Sequence, residues 1–250
     1  MKEQTILFDL DDTLVHCNKY FDSVITQYVH SMLGWFSEYG VSFEDIRQKQ
    51  LELDLIGVSQ HGFMANRFPQ SLVETYHYYS ALYKRHTKRK EEDMLLQLGH
   101  TVYEYSAEPY PHMNETLETL KKSGHQLFLY TGGDISIQMK KVTDTGLDAY
   151  FQDRIFVTLH KTKEFMESLL LQHQFDRRQT WMIGNSARTD VLPALSAGIH
   201  SIYIPASQEW LYNTVDIDIE PKGAFFTLPS LRDVPEAIGE YTRNLPSSVI

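Results

Sequence analysis

The stretch Phe8-Asp9-Leu10-Asp11-Asp12-Thr13-Leu14 (FDLDDTL) overlaps a short apolar run, Thr5 to Leu10 (TILFDL), and its reading decides the fold. The length of that run and its branched and aromatic residues suit a buried strand, which the polar Asp-Asp-Thr then halts. Open α/β sheets bind their ligands at the carboxyl ends of strands, so acids in this position are candidates for chemistry. Asp9 and Asp11, two residues apart, lie on the same side of an extended chain.

Working outward, the same grammar recurs after Glu108-Pro109-Tyr110-Pro111. Met113 to Ser123 reads as a helix with Leu117 and Leu120 inward and Gly124 as its stop. Gln126 to Tyr130 (QLFLY) reads as a strand, followed by Thr131-Gly132-Gly133 and a helix from Ile135 to Asp144. Arg154 to Leu159 is a further strand and Thr162 to Gln172 a helix. Thr180 to Ile183 (TWMI) is a strand, Thr189 to Ala197 a helix, and Ser201 to Ile204 (SIYI) a strand. A short strand and a final helix after Pro235 close the pattern. This βαβα rhythm predicts an α/β fold, a doubly wound parallel sheet with helices on both faces.

Between Lys19 and His100 the texture changes. Apolar residues recur at helical spacing, as in Phe21, Val24, Ile25, Tyr28, Val29 and Met32. Gly34, Gly40, Gly57, Gly62 and Pro69 are expected to punctuate this stretch into several helices. The expected organisation is a core from residues 1–16 and 105–250, with a helical insertion over 17–104. The run Lys84 to Asp93 (KRHTKRKEED) reads as a solvated helix face.

Composition narrows the classes of function. The 250 residues are 42% hydrophobic and 22% charged, the balance of a globular chain with a sizeable core. The formal net charge of −10 lacks the basic footprint of a nucleic-acid binder, so no nucleic-acid partner is expected. An anionic substrate would need local cations or a metal to overcome that field. No apolar run approaches the ~20 residues that span a bilayer, so no membrane partner is expected. The polar start Met-Lys-Glu-Gln-Thr does not read as a secretory signal, and a cytoplasmic location is the expectation. Cys17, the single cysteine, excludes an intrachain disulfide and a cysteine-based zinc site.

Four expected strands deliver polar groups to one edge. The first ends in Asp9, Asp11, Asp12 and Thr13, the second in Thr131, and the third is followed by His160, Lys161 and Lys163. The fourth ends in Gly184-Asn185-Ser186, with Asp190 beyond. Acids, a hydroxyl and a lysine converging in this way suit phosphoryl transfer, which needs an in-line nucleophile, a cation clamp and charge neutralisation.

These four segments resemble the signatures of the haloacid dehalogenase-like superfamily: FDLDDTL at Phe8 to Leu14, LYTGG at Leu129 to Gly133, Lys161, and IGNSARTD at Ile183 to Asp190. The resemblance implies a Rossmann-like core with the insertion as a helical cap of the C1 type. It implies a phosphomonoester hydrolase acting on a small phosphorylated metabolite. Asp9 matches the nucleophile, forming an aspartyl-phosphate, and Asp11 matches the general acid and base. Thr131, with Gly132, matches the phosphoryl-binding group, and Lys161 the lysine that steadies both the nucleophile and the phosphoryl group. Mg²⁺ is the implied cofactor, held by Asp9, Asp11 through its carbonyl, Asn185 and Asp190.

Two positions depart from the family pattern. Asn185 stands where an aspartate is usual, which removes one negative charge from the metal side. Asp190 then gains importance, either as a ligand through water or as the partner of Lys161. Gly132 stands where an asparagine is frequent, which removes a side-chain donor near the phosphate. Asp12 reads as a turn cap, Ser186 as either a helix cap or a ligand-positioning group, and Lys163 as a competitor of Lys161. The 2-haloacid dehalogenases of this superfamily typically lack the second acid, so Asp11 argues against that activity. The alternatives to hydrolysis are a phosphomutase and a non-catalytic phosphate-binding protein, and Asn185 alone favours the latter.

Overall fold

The computed structural model describes residues 2–244. Residues 245–250, included in the expected core, lie outside the described residues. The chain divides into two compact units, one formed by Met1–Asn18 with Ala107–Ile250 and the other by Lys19–Ser106.

The first unit is built on a parallel six-stranded sheet. Its strands are β1 (Thr5–Phe8), β2 (Gln126–Gly132), β3 (Ile155–Thr158), β4 (Thr180–Gly184), β5 (His200–Tyr203) and β6 (Phe225–Thr227). Their order is β3-β2-β1-β4-β5-β6, the doubly wound arrangement read from the sequence. In register, Thr5 pairs with Gln126 on one side and with Thr180 on the other. The chain winds outward in both directions from β1, so the carboxyl end of β1 lies at the crevice where such sheets hold ligands.

Each central strand is apolar on both faces because helices cover both. Ile6, Phe8, Leu127, Leu129, Trp181 and Ile183 enter one core. There they meet α5 (Met113–Lys122) and α10 (Val234–Asn244) through Leu117, Leu120, Val234 and Ile238. The alternate residues Leu7, Phe128, Tyr130 and Met182 enter the other core. They pack on Met166, Leu169 and Leu170 of α8 (Lys163–Gln172) and on Ala194 and Ala197 of α9 (Leu192–Ala197). The period-two alternation of a strand sorts one continuous apolar run onto two faces. Helix α6 (Ile135–Asp144) and the short α7 (Asp148–Phe151) connect β2 to β3. The helix expected from Thr189 begins instead as a π-helical turn, Ala187–Val191, before α9.

The second unit is helical. It consists of α1 (Asn18–Trp35), α2 (Phe43–His61), α3 (Arg67–Leu82) and α4 (Arg89–His100), joined by short turns. Val24, Tyr28, Val29 and Met32 of α1 form its core with Ile46, Leu72, Tyr76 and Leu95. Ser42 and Asp45 make a reciprocal capping box at the start of α2. Gly40 and Gly62 end helical segments as expected, but Gly34, Gly57 and Pro69 lie inside helices. Gly57 has a packing reason, because a β-carbon there would collide with the Arg67 guanidinium. The Lys84–Asp93 run is mostly exposed, as read, with Arg89 and Asp93 paired at 2.9 Å, but Arg85 and Glu91 turn inward. Arg85 grips Glu91 at 2.7 and 2.8 Å, and Tyr76 donates its hydroxyl to the same carboxylate at 2.6 Å. Among the described residues no helix is long and apolar enough to cross a membrane.

Candidate active site

Asp9 directly follows β1, and its backbone N–H donates to Ile183 of β4 at 2.9 Å, which extends the ladder and fixes the side chain at the sheet edge. The carboxylate is buried, with Oδ1 on Lys161 Nζ at 2.6 Å and Oδ2 accepting the Thr13 hydroxyl at 3.0 Å. Burial pushes the Asp9 carboxyl up to about 7 against the pull of Lys161, with Asp190 and Asp11 adding to the rise.

Lys161 enters from the loop after β3 and is equally buried. Its ammonium bridges Asp9 and Asp190 and stands 4.9 Å from the centre of the Tyr130 ring. Burial opposes its charge, but Asp190 and Asp9 outweigh that and hold its pKa above the ordinary lysine value. Lys163, the competing lysine, is an exposed residue opening α8.

Asp190 sits in the π-helical turn after β4 and is fully buried. One of its oxygens takes Lys161 and the other accepts the Ser186 backbone N–H at 2.9 Å. Of the two roles expected of Asp190, this is the geometry of the lysine's partner. Ser186 accepts the Thr189 N–H at 3.1 Å through its hydroxyl, the geometry of a cap. Asp12 adopts a left-handed φ of 57° and accepts the backbone N–H groups of Cys17 and Asn18 at 3.0 and 2.9 Å. It ties the loop to the start of α1 and faces no other site residue through a hydrogen bond.

Thr131 lies fully buried near the end of β2, and Gly132 closes the strand opposite Thr158. Asp11 reaches α6. Its Oδ1 meets Lys141 Nζ at 2.5 Å and its Oδ2 accepts Gln138 Nε2 at 2.9 Å. The same Gln138 nitrogen donates to the Thr131 hydroxyl at 2.6 Å. Sequence reasoning missed Gln138 and Lys141, which belong to none of the four motifs.

The donor set for a metal was tested through hydrogen-bond accounting. The Thr13 hydroxyl has one proton, which Asp9 takes. The Thr13 oxygen already accepts the Asn185 backbone N–H at 3.1 Å, and the Asn185 side-chain amide lies 3.3 Å away. The amide is placed with Oδ1 toward Thr13 and Nδ2 on the opposite side; the Thr13 proton is already on Asp9, so exchanging the two would let NH₂ donate to Thr13 and turn the oxygen outward. The atom on that opposite side is buried and has no partner among the described residues. With its amide exchanged in this way, Asn185 would offer an unpartnered hard-oxygen donor of the kind that suits Mg²⁺. Among the described residues no group of three or more His, Cys, Asp or Glu side chains is arranged to hold a metal.

The sequence profile of the haloacid dehalogenase-like hydrolases matches residues 6–204. The chain is 24% identical over 208 residues to the pyrimidine 5'-nucleotidase PynA of Streptococcus pneumoniae, covering 79% of this chain and 82% of that protein. It is 23% identical over 211 residues to the pyrophosphatase PpaX of Halalkalibacterium halodurans, covering 82% and 84%. The crystal structure of a haloacid dehalogenase-like family hydrolase from Xanthomonas campestris superposes with a TM-score of 0.77. It shares 23% identity and covers 97% of this chain and 95% of its own.

Proposed function

The chain belongs to the haloacid dehalogenase-like hydrolase family, and we propose that it is a phosphatase that releases phosphate from a small phosphorylated metabolite through an aspartyl-phosphate on Asp9. The observation that carries this reading is the state of Asp9. A buried carboxylate at the sheet edge is held by Lys161 on one oxygen and Thr13 on the other, with Asp11 two residues on. The activities of the Streptococcus and Halalkalibacterium relatives support the same chemistry.

In the first step Asp9 attacks phosphorus, a carboxylate O–P bond forms and the bond to the leaving oxygen breaks. Asp11 gives its proton to that oxygen. In the second step a water attacks the aspartyl-phosphate, Asp11 takes its proton, and phosphate leaves as Asp9 is restored. Thr131 donates to a phosphoryl oxygen, and Lys161 balances the charge shared by Asp9 and the phosphoryl group.

Asp9, the Asp11 carbonyl and Asn185 would hold Mg²⁺, and Asp190 acts on that group through Lys161. When bound, the ion neutralises phosphoryl charge and lowers the cost of keeping Asp9 ionised. Asn185 leaves the set one charge short, so a raised Mg²⁺ requirement belongs to this reading.

Inorganic phosphate release from a panel of phosphorylated metabolites, with Mg²⁺ and with EDTA, tests it. Turnover with Mg²⁺ that is lost in EDTA and in Asp9→Asn is the expected result. If no substrate turns over faster than with Asp9→Asn, the protein is not a phosphatase of this kind.

A further inference from the structure

Helix α6 carries two residues that act together on Asp11. Gln138 and Lys141 are three apart, hence neighbours on one helix face. Between them they occupy both oxygens of the Asp11 carboxylate. We propose that Gln138 and Lys141 are positioning residues: a clamp that fixes the Asp11 carboxylate and ties it to the Thr131 hydroxyl. This inference rests on the phosphatase reading and extends it beyond the four motifs.

Gln138 is 2% exposed, an unusual place for an amide on a helix flanking the sheet. Its Nε2 has two protons, and both are used, one on Asp11 and one on Thr131. Thr131 therefore accepts at its oxygen and keeps its own proton to donate. One side chain thus orients the phosphoryl-binding hydroxyl and holds the acid and base of the same reaction.

Gly133 makes room for this arrangement. It adopts a φ of +143°, and a β-carbon there would stand 3.1 Å from both Cγ and Cδ of Gln138. The second glycine of the Thr131-Gly132-Gly133 turn thereby serves the clamp as well as the turn.

Lys141 completes the clamp from the other side. Its side chain is 21% exposed and that of Asp11 26%, so the pair is partly withdrawn from water. The Cys17 thiol lies 3.9 Å from the same ammonium and helps to enclose it. A carboxylate with a quarter of its surface open has rotamer freedom that two fixed donors remove. Small displacements of a proton-transferring group carry large rate penalties, which is the value of holding Asp11 in place.

A double-mutant cycle tests the clamp. Lys141→Ala and Gln138→Leu are made in the wild-type chain and in Asp11→Asn. Single-turnover and steady-state phosphate release are measured on the best substrate of the panel. In the wild-type chain each is expected to lower kcat about 10- to 100-fold, with KM changed less than about threefold. Lys141→Arg, which keeps the cation, is expected to restore most of the rate. In Asp11→Asn, Lys141→Ala is expected to cost nothing further, because Lys141 acts only through that carboxylate, whereas Gln138→Leu keeps the part of its loss that runs through Thr131. An equal loss from Lys141→Ala in both backgrounds, a change in KM alone, or no change in the wild-type chain overturns the proposal. If the alanine variant does not fold, Lys141→Gln carries the same expectations. A wild-type protein no faster than Asp9→Asn would sink the phosphatase reading itself. An active wild type with indifferent clamp variants would sink only the clamp.

Discussion

Gly184 and Asp190 are packed so closely that a β-carbon on Gly184 would fall within the Asp190 carboxylate. The absence of a side chain at the end of β4 lets Asp190 lean over the backbone, reach the Ser186 N–H and meet Lys161. Gly184→Ala is expected to displace Asp190 and leave a buried lysine and a buried amide short of a partner. The cost is about 2–4 kcal/mol by denaturant unfolding, with a fall in kcat. An alanine variant as stable as the wild type would show that Asp190 has another seat.

In the metal set proposed for this site, Asn185 offers an amide where an aspartate would offer charge. Asn185→Asp is expected to lower the Mg²⁺ concentration giving half-maximal activity, since a second anion beside Asp9 strengthens the attraction for the cation. Activity measured against Mg²⁺ concentration checks this. An unchanged requirement would place residue 185 away from the metal.

His200 is buried in a single tautomer. Its Nδ1 accepts the Ala224 N–H at 2.8 Å, leaving Nε2 to donate to the Arg178 carbonyl at 2.9 Å. Burial lowers its pKa against the opposing effects of that carbonyl and of Asp176. The unfolded chain therefore takes up the proton first, near the ordinary value of about 6.5. Stability from the neutral ring is complete above that pH and is lost as pH falls below it. His200→Asn is expected to be less stable than the wild type at pH 7.5, by a margin that narrows toward pH 5 in urea titrations. A constant margin would mean that His200 does not titrate in this range.

Asp54 carries the opposite sign inside the helical unit. Burial pushes it up to about 7, against Arg67 and Ser71. The folded state holds its proton more tightly than the unfolded state, so this stability is complete at low pH and is lost as pH rises from about 4 through 7. Asp54→Asn is expected to exceed the wild type in stability by about 1–3 kcal/mol at pH 8 and to match it near pH 4. Unfolding curves at the two pH values check this, and a variant weaker at both would refute it.

The legible parts of the fold were those where chain chemistry and packing agree. Within the TILF run Ile6, Leu7 and Phe8 are all apolar because Leu7 faces one core while Ile6 and Phe8 face the other, and its length still marks it as a strand. Lys161 was separable from Lys163 because the helix that buries Met166 opens at residue 163 and leaves Lys161 in the loop before it. The clamp was not legible because α6 inverts the usual pattern. Ile135 is 66% exposed and Met139 36%, whereas Gln138 is buried. A helix that turns Ile135 and Met139 to water and buries Gln138 alongside Val142 conceals its working side from an argument based on periodicity. The cap Ser186 and the partnership of Asp190 with Lys161 are among the sequence readings, but the π-helical form of the Ala187–Val191 turn that carries them is not.

The sheet register also bears on how the protein is made. Thr5 pairs with Gln126 and Thr180, so the strand that leads to Asp9 leaves the ribosome early and its neighbours arrive much later. Consecutive helices of the inserted unit pack on one another, and that unit can gain structure while β1 is still alone. An apolar strand waiting for distant partners is the segment most exposed to faulty pairing during synthesis. The central placement that makes Asp9 useful in the finished enzyme thus makes its strand the slowest part of the sheet to be satisfied.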